Sequence, residues 1–238
     1  NPGGAPCNVL AMLGKLGKKT AFIGKVGNDQ FGNMLRKTIE SVGIDAEGLV
    51  IDDKVHTTLA FVHTYPDGDR DFSFYRNPGA DMMLRKEEVS LEKICASKIF
   101  HFGTLSFTHA GIRTASQYAI QCAKEAGALI SFDPNLREPL WENLEDARKA
   151  IEYGMECCDI LKISDNELTF MTGEKDYDKG AVLLQQKYQI PLVCVTLGKD
   201  GSRAYYKGLT IKAEPFLQKN TIETTGAGDT FTGCMLNT

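Results

Sequence analysis

Residues 222–235 read I-E-T-T-G-A-G-D-T-F-T-G-C-M. Two threonines, a Gly226-Ala227-Gly228 turn and Asp229 heading an apolar Phe231, Met235, Leu236 pattern describe a tight turn that opens straight into a helix. A helix start carries backbone N–H groups without partners and roughly half a positive charge, so it seats an anion. Small residues at 226–228 let that anion come close to the backbone. A carboxylate would repel a phosphate, but it suits a proton acceptor beside a phosphoryl group in transit. The turn therefore points to phosphoryl transfer, against the plainer reading of an Asp N-cap after a glycine turn.

The familiar nucleotide motifs fail on spacing. A G-x-G-x-x-G run from Gly226 needs glycine where Phe231 stands, which also argues against a dinucleotide-dependent dehydrogenase. The Walker-like Gly17-Lys18-Lys19-Thr20 has Met12 in place of the first glycine and Lys19 where Ser or Thr should follow the lysine.

Outward from that turn, the chain alternates apolar strands with amphipathic helices. Residues 6–16 predict a helix, 20–24 a strand, 29–42 a helix stopped by Gly43. Between 49 and 75 the runs 49–51, 57–64 and 70–75 are β-branched and aromatic, with Pro66-Asp67-Gly68-Asp69 as a hairpin turn and no helix between them. From 99 the rhythm returns, with strands expected at 99–102, 129–132, 160–163, 192–196, 201–206 and 209–213 and helices at 108–126, 144–155, 165–171 and 177–187. The expected fold is α/β, a mostly parallel sheet with helices on both faces plus a small antiparallel β lid. The expected division is a core at 1–47, a lid at 48–76 and a core with the nucleotide site at 77–238.

In such sheets ligands lie off the carboxyl ends of the strands. There the sequence places Asp133-Pro134-Asn135-Leu136-Arg137, then Ser164-Asp165-Asn166-Glu167, then Thr196-Leu197-Gly198-Lys199-Asp200-Gly201. Asn135 and Arg137, stiffened by Pro134, could converge on a hydroxyl-rich or anionic ligand. Glu167 could hold Mg²⁺ through water, and Ser164 with Glu167 also makes a capping box.

The 238 residues carry 42% hydrophobic and 24% charged side chains and a net charge of −4, an ordinary globular composition without a basic face for nucleic acid. Seven cysteines without a C-x-x-C read as free thiols in a reducing cytoplasm. The four histidines have no metal-ligand spacing, and no run reaches the ~20 apolar residues a membrane span needs.

T-T-G-A-G-D-T-F at 224–231, together with Gly3-Gly4-Ala5-Pro6-Cys7-Asn8 and T-A-F-I-G-K-V-G-N-D-Q-F-G at 20–32, closely resembles the two signatures of the PfkB, or ribokinase-like, carbohydrate kinases. Within that family the wording is most similar to fructokinases, then to 2-keto-3-deoxygluconate kinases. The resemblance implies ATP-dependent phosphorylation of a monosaccharide hydroxyl, with fructose first among sugars and ketodeoxygluconate or ribose as alternatives. A catalytically silent sugar or nucleotide sensor is the rival reading. The resemblance further implies Asp229 as base beside the amides of Gly226, Ala227 and Gly228. It implies sugar contacts at Gly3, Gly4, Asn8, Arg76, Asn135 and Arg137, and ATP contacts at Thr196, Gly198, Gly201, Ser164 and Glu167. Mg²⁺ would be held at Glu167, and a K⁺ near Glu223, where Asp is commoner in the family. It implies a first strand before Gly3 and a segment after Thr238 that supplies much of the adenine pocket, and exposed lid strands of this kind can pair two subunits.

Overall fold

The computed structural model describes residues 2–64, 70–216 and 224–237. In chain order the elements are α1 (Ala5–Lys15), β1 (Thr20–Ala21), β2 (Gly24–Gly27), α2 (Gln30–Ser41), β3 (Ile44–Asp45), β4 (Leu49–Asp52), β5 (Leu59–Thr64), β6 (Arg70–Tyr75) and α3 (Leu91–Cys95). There follow β7 (Ile99–Gly103), α4 (Ala110–Glu125), β8 (Leu129–Asp133), α5 (Leu144–Cys157), β9 (Ile160–Ser164), α6 (Asp165–Thr172), α7 (Tyr177–Tyr188), β10 (Leu192–Thr196), β11 (Ser202–Tyr206), β12 (Leu209–Ala213) and α8 (Ala227–Met235). They form two compact units, one of residues 1–96, 106–122 and 223–238, the other of 97–105 and 123–222.

In the first unit the single strand expected over 20–24 is two short ones, because its two ends face different partners. β1 pairs in parallel with β3, while β2 pairs in parallel with β4. The strand at 49–52 is thus part of a parallel pair, and antiparallel pairing begins only with β5 and β6, where Leu59 faces Tyr75. The turn expected at 66–69 lies outside the described residues. α2 starts where it does because Asp29 caps it, accepting from Gly32 N at 2.8 Å. The same carboxylate takes Thr57 N and Thr57 Oγ1, both at 2.8 Å, tying the loop before β5 to the helix start. α8 lies against α1 at Gly233, where a Cβ would sit 2.7 Å from Met12 Cβ and 2.9 Å from the Val9 carbonyl.

In the second unit the six strands lie in the order β7-β8-β9-β10-β11-β12, parallel through β10 and antiparallel after it. Alternation sorts their side chains. Phe102, Ile130, Phe132, Leu161, Ile163, Val193 and Val195 are all buried and form the apolar face. α5 comes so close to it that a Cβ on Gly154 would strike the Phe132 ring. The opposite face carries a polar row: His101 stands beside Ser131, Asp133 follows on the same strand, and Lys162 stands beside Cys194.

Candidate active site

In the first unit, Gly226 adopts a left-handed φ of 78° and N-caps α8, so the chain enters the helix with Asp229 in its first turn. The side chain of Asp229 points to α1, where Asn8 Nδ2 donates to Asp229 Oδ2 at 2.8 Å. Asp229 is only 8% exposed, so this contact orders a carboxylate that solvent barely reaches. A Cβ on Gly226 would lie 3.5 Å from Asn8 Nδ2, and Asn8 N donates to the Gly4 carbonyl at 3.0 Å. Gly4, Asn8, Gly226 and Asp229 therefore share one corner, with exposed Gly3 preceding it.

The two turn amides differ. Ala227 N–H is already committed to the Thr224 carbonyl at 3.1 Å, whereas the Gly228 N–H has no protein acceptor among the described residues. Of the two amides expected to seat an anion, that of Gly228 is the one without a protein acceptor among the described residues. Glu223 lies outside the described residues.

Arg76, expected to contact the sugar, is held by protein partners. Its Nε and Nη2 donate to Asp81 Oδ2 at 2.8 and 2.6 Å and its Nη1 to Thr108 Oγ1 at 2.7 Å, with the side chain 7% exposed. Thr58 Oγ1 donates to the other oxygen of Asp81. This cluster clips the end of the hairpin to the start of α4, and Asp81 and Thr108 could not be paired with Arg76 from spacing alone.

In the second unit, the carboxyl ends of β8, β9 and β10 lie side by side, and Thr196 stands beside Ser164. Ser164 N donates to Glu167 Oε2 at 2.9 Å and Glu167 N to Ser164 Oγ at 3.4 Å, the expected capping box at the start of α6, and Ser164 Oγ also donates to Oε2 at 2.8 Å. Leu136 N donates to Glu167 Oε1 at 2.7 Å, drawing the 133–137 turn onto the same carboxylate. An open cleft of about 300 Å³ is lined by Leu136, Arg137, Ser164, Glu167 and Phe170 among others. Arg137 is exposed at its rim and donates back to the Leu136 carbonyl at 3.1 Å. Beyond β10, Gly198 has φ 56° and Gly201 φ 86°. A Cβ on Gly201 would meet the Ala213 carbonyl at 2.1 Å, so this glycine is required by the close approach of β12.

A carboxylate offers about four acceptor positions, and Glu167 spends three on protein donors. What remains suits one water of a hydrated cation, not a direct ligand position. Among the described residues no group of three or more His, Cys, Asp or Glu could hold a metal ion. The chemistry fits Mg²⁺, which gives up its waters reluctantly.

Two residues beside this edge went unassigned in the sequence. Lys162 interrupts the apolar β9 and reaches Asp133 at 3.0 and 3.2 Å, both side chains being under a tenth exposed. His101 interrupts β7 and hydrogen-bonds Ser131 Oγ through Nδ1 at 3.0 Å. A polar residue in an otherwise apolar strand is the signal that could have found them. Desolvation, helped by the Lys162 ammonium, pushes the His101 imidazole down to about 4. The unfolded chain then binds a proton that the folded one refuses between that value and the ordinary 6.5. Stability is unaffected above pH 6.5 and is lost as the pH falls towards 4. At pH 5 the cost from this group is about 2 kcal/mol relative to pH 7. Denaturant melts at the two pH values should show His101→Gln to be less acid-sensitive than the parent.

Among the described residues no helix is long and apolar enough to cross a membrane. A family model described as pfkB family carbohydrate kinase matches residues 1–238. "Probable fructokinase-2" of Arabidopsis thaliana is 46% identical over 99% of this chain and 71% of its own length. Among solved structures, fructokinase with bound ATP from Xylella fastidiosa superposes with a TM-score of 0.89 at 33% identity, covering 99% of this chain and 72% of the other. Fructokinase from Vibrio cholerae O395, in a form with fructose, ADP and calcium ion bound, gives 0.88 at 32% identity, covering 99% and 75%.

Proposed function

The chain belongs to the pfkB family of carbohydrate kinases, and from that premise we propose that it transfers the γ-phosphoryl group of ATP to a hydroxyl of fructose. The similarity to fructokinases over 99% of the chain supports the sugar, and the neighbours' ATP, ADP and fructose support the two substrates. The observation that carries the chemistry is the corner where Asn8 holds a nearly enclosed Asp229 at the first turn of α8.

A carboxylate is far too weak a base to strip an alcohol of its proton in advance. Asp229 instead orients the hydroxyl and takes its proton as the O–P bond forms, late in a loose transition state. Asn8, by donating to Oδ2, restricts the carboxylate to one orientation. The Gly228 amide and the α8 dipole stabilise charge growing on the phosphoryl oxygens, and one such donor is typically worth about 10² to 10³ in rate. Gly3 and Gly4 floor the sugar, while Asn135 and Arg137 approach the sugar and the transferred group. Thr196, Gly198, Gly201 and Ser164 flank the nucleotide. Held by Glu167 through water, Mg²⁺ would neutralise phosphate oxygens when bound. Arg76 serves the sugar by fixing the hairpin end through Asp81.

The cysteines are all unpaired, which suits a reducing cytoplasm. Phe61, Val62 and Tyr75 are exposed on the hairpin, with Phe61 and Tyr75 in edge contact at 5.3 Å, and this is the surface through which two subunits would pair.

The test is ADP release by the purified protein with ATP, Mg²⁺ and fructose, 2-keto-3-deoxygluconate or ribose in turn. Fructose should give the highest kcat/KM. Bound ATP with no sugar-dependent ADP release would leave only the silent sensor.

A further inference from the structure

Lys162 sits in the middle of a β-strand whose neighbours Leu161 and Ile163 are fully buried, and its side chain is 8% exposed. Its partner Asp133 is 3% exposed. A buried ion pair seldom out-stabilises a well-packed apolar pair of similar size, so stability alone does not account for it. What the pair does is fix the last residue of β8. The next residues are held from other directions. The Pro134 carbonyl accepts from Thr104 N at 3.2 Å and Thr104 Oγ1 at 2.5 Å, and Leu136 N is held by Glu167 at 2.7 Å. A Cβ on Gly103 would lie only 2.9 Å from the Asp133 carbonyl oxygen, so glycine is what admits this approach. Between these anchors Asn135 takes φ 48°, a left-handed conformation that asparagine tolerates better than most residues.

We propose that Lys162 is a positioning residue for phosphoryl transfer, holding Asp133 so that the 133–137 turn presents Asn135 and Arg137 in one fixed geometry; this rests on the kinase reading above. β9, β7 with its following turn, and α6 each supply one anchor. Lys162 supplies the one that sets where the turn begins.

Lys162→Met strands a buried carboxylate and can fail to fold, so the deciding variant is Lys162→Met combined with Asp133→Asn, which removes both charges. It is expected to melt within a few degrees of the parent. Its peptide spanning 133–140 should exchange amide hydrogen roughly tenfold faster, and fructose-dependent kcat should fall about 10- to 100-fold. Lys162→Arg with Asp133 kept should recover much of both. Parental turnover in the folded double variant overturns the proposal, and so does parental exchange whatever the turnover. If the parent itself releases no ADP with any sugar, the kinase reading fails, and the exchange comparison still decides whether Lys162 holds the turn.

Discussion

Asp229→Asn is expected to lower kcat by about 10² to 10⁴ with little change in ATP binding. The substitution keeps the side chain's shape, and the new amide oxygen can still accept from Asn8 Nδ2, which now lies 2.8 Å from Asp229 Oδ2. The fold at the start of α8 should therefore survive, since Gly226 and not Asp229 supplies the N-cap. What is lost is the basic oxygen that receives the hydroxyl proton. Steady-state kinetics beside an ATP titration separate the two effects. Turnover within a few-fold of the parent would remove Asp229 from the mechanism.

Gly233→Val is expected to destabilise the protein by about 3 kcal/mol and to slow turnover on the order of 10²-fold. The Cβ it adds would lie 2.7 Å from Met12 Cβ and 2.9 Å from the Val9 carbonyl. Both atoms belong to the inner shell of α1 and cannot rotate aside, and Val9 is fully buried. The helices must separate, and they carry the two ends of the Asn8–Asp229 contact. Chemical denaturation and kcat measured on the same preparation should fall together. A variant as stable and as fast as the parent would mean that α1 and α8 have slack at this crossing.

The sequence was most legible where a residue type answers a local demand. Most strands and helices announced themselves by their period, though the two-residue β3 and the five-residue α3 did not, and the glycine turn before Asp229 did so by its small residues. The capping pair Ser164 and Glu167 could be read three residues apart, and the structure gives both of its bonds. Partners that depend on tertiary placement were not legible. The β-branched run at 49–52 says strand but not which neighbour, so its parallel pairing with β2 came only with the fold. The expected sugar contact at Arg76 gave no hint that Asp81 and Thr108 hold its side chain. Lys162 and His101 stand singly in apolar strands, and no spacing in the chain links either one to Asp133 or Ser131. The Ala227 amide looked available because the turn motif does not reveal that the Thr224 carbonyl folds back onto it.

The six-stranded sheet sets each strand beside its neighbour in sequence, so that unit can condense a hairpin or a crossover at a time as the chain leaves the ribosome. Asn8 and Asp229 are 221 positions apart. Their contact closes a loop that encloses the whole six-stranded sheet, and it can form only once nearly all of these residues have been synthesised. The corner that holds the Asp229 carboxylate is therefore assembled only after every strand of the six-stranded sheet has been synthesised.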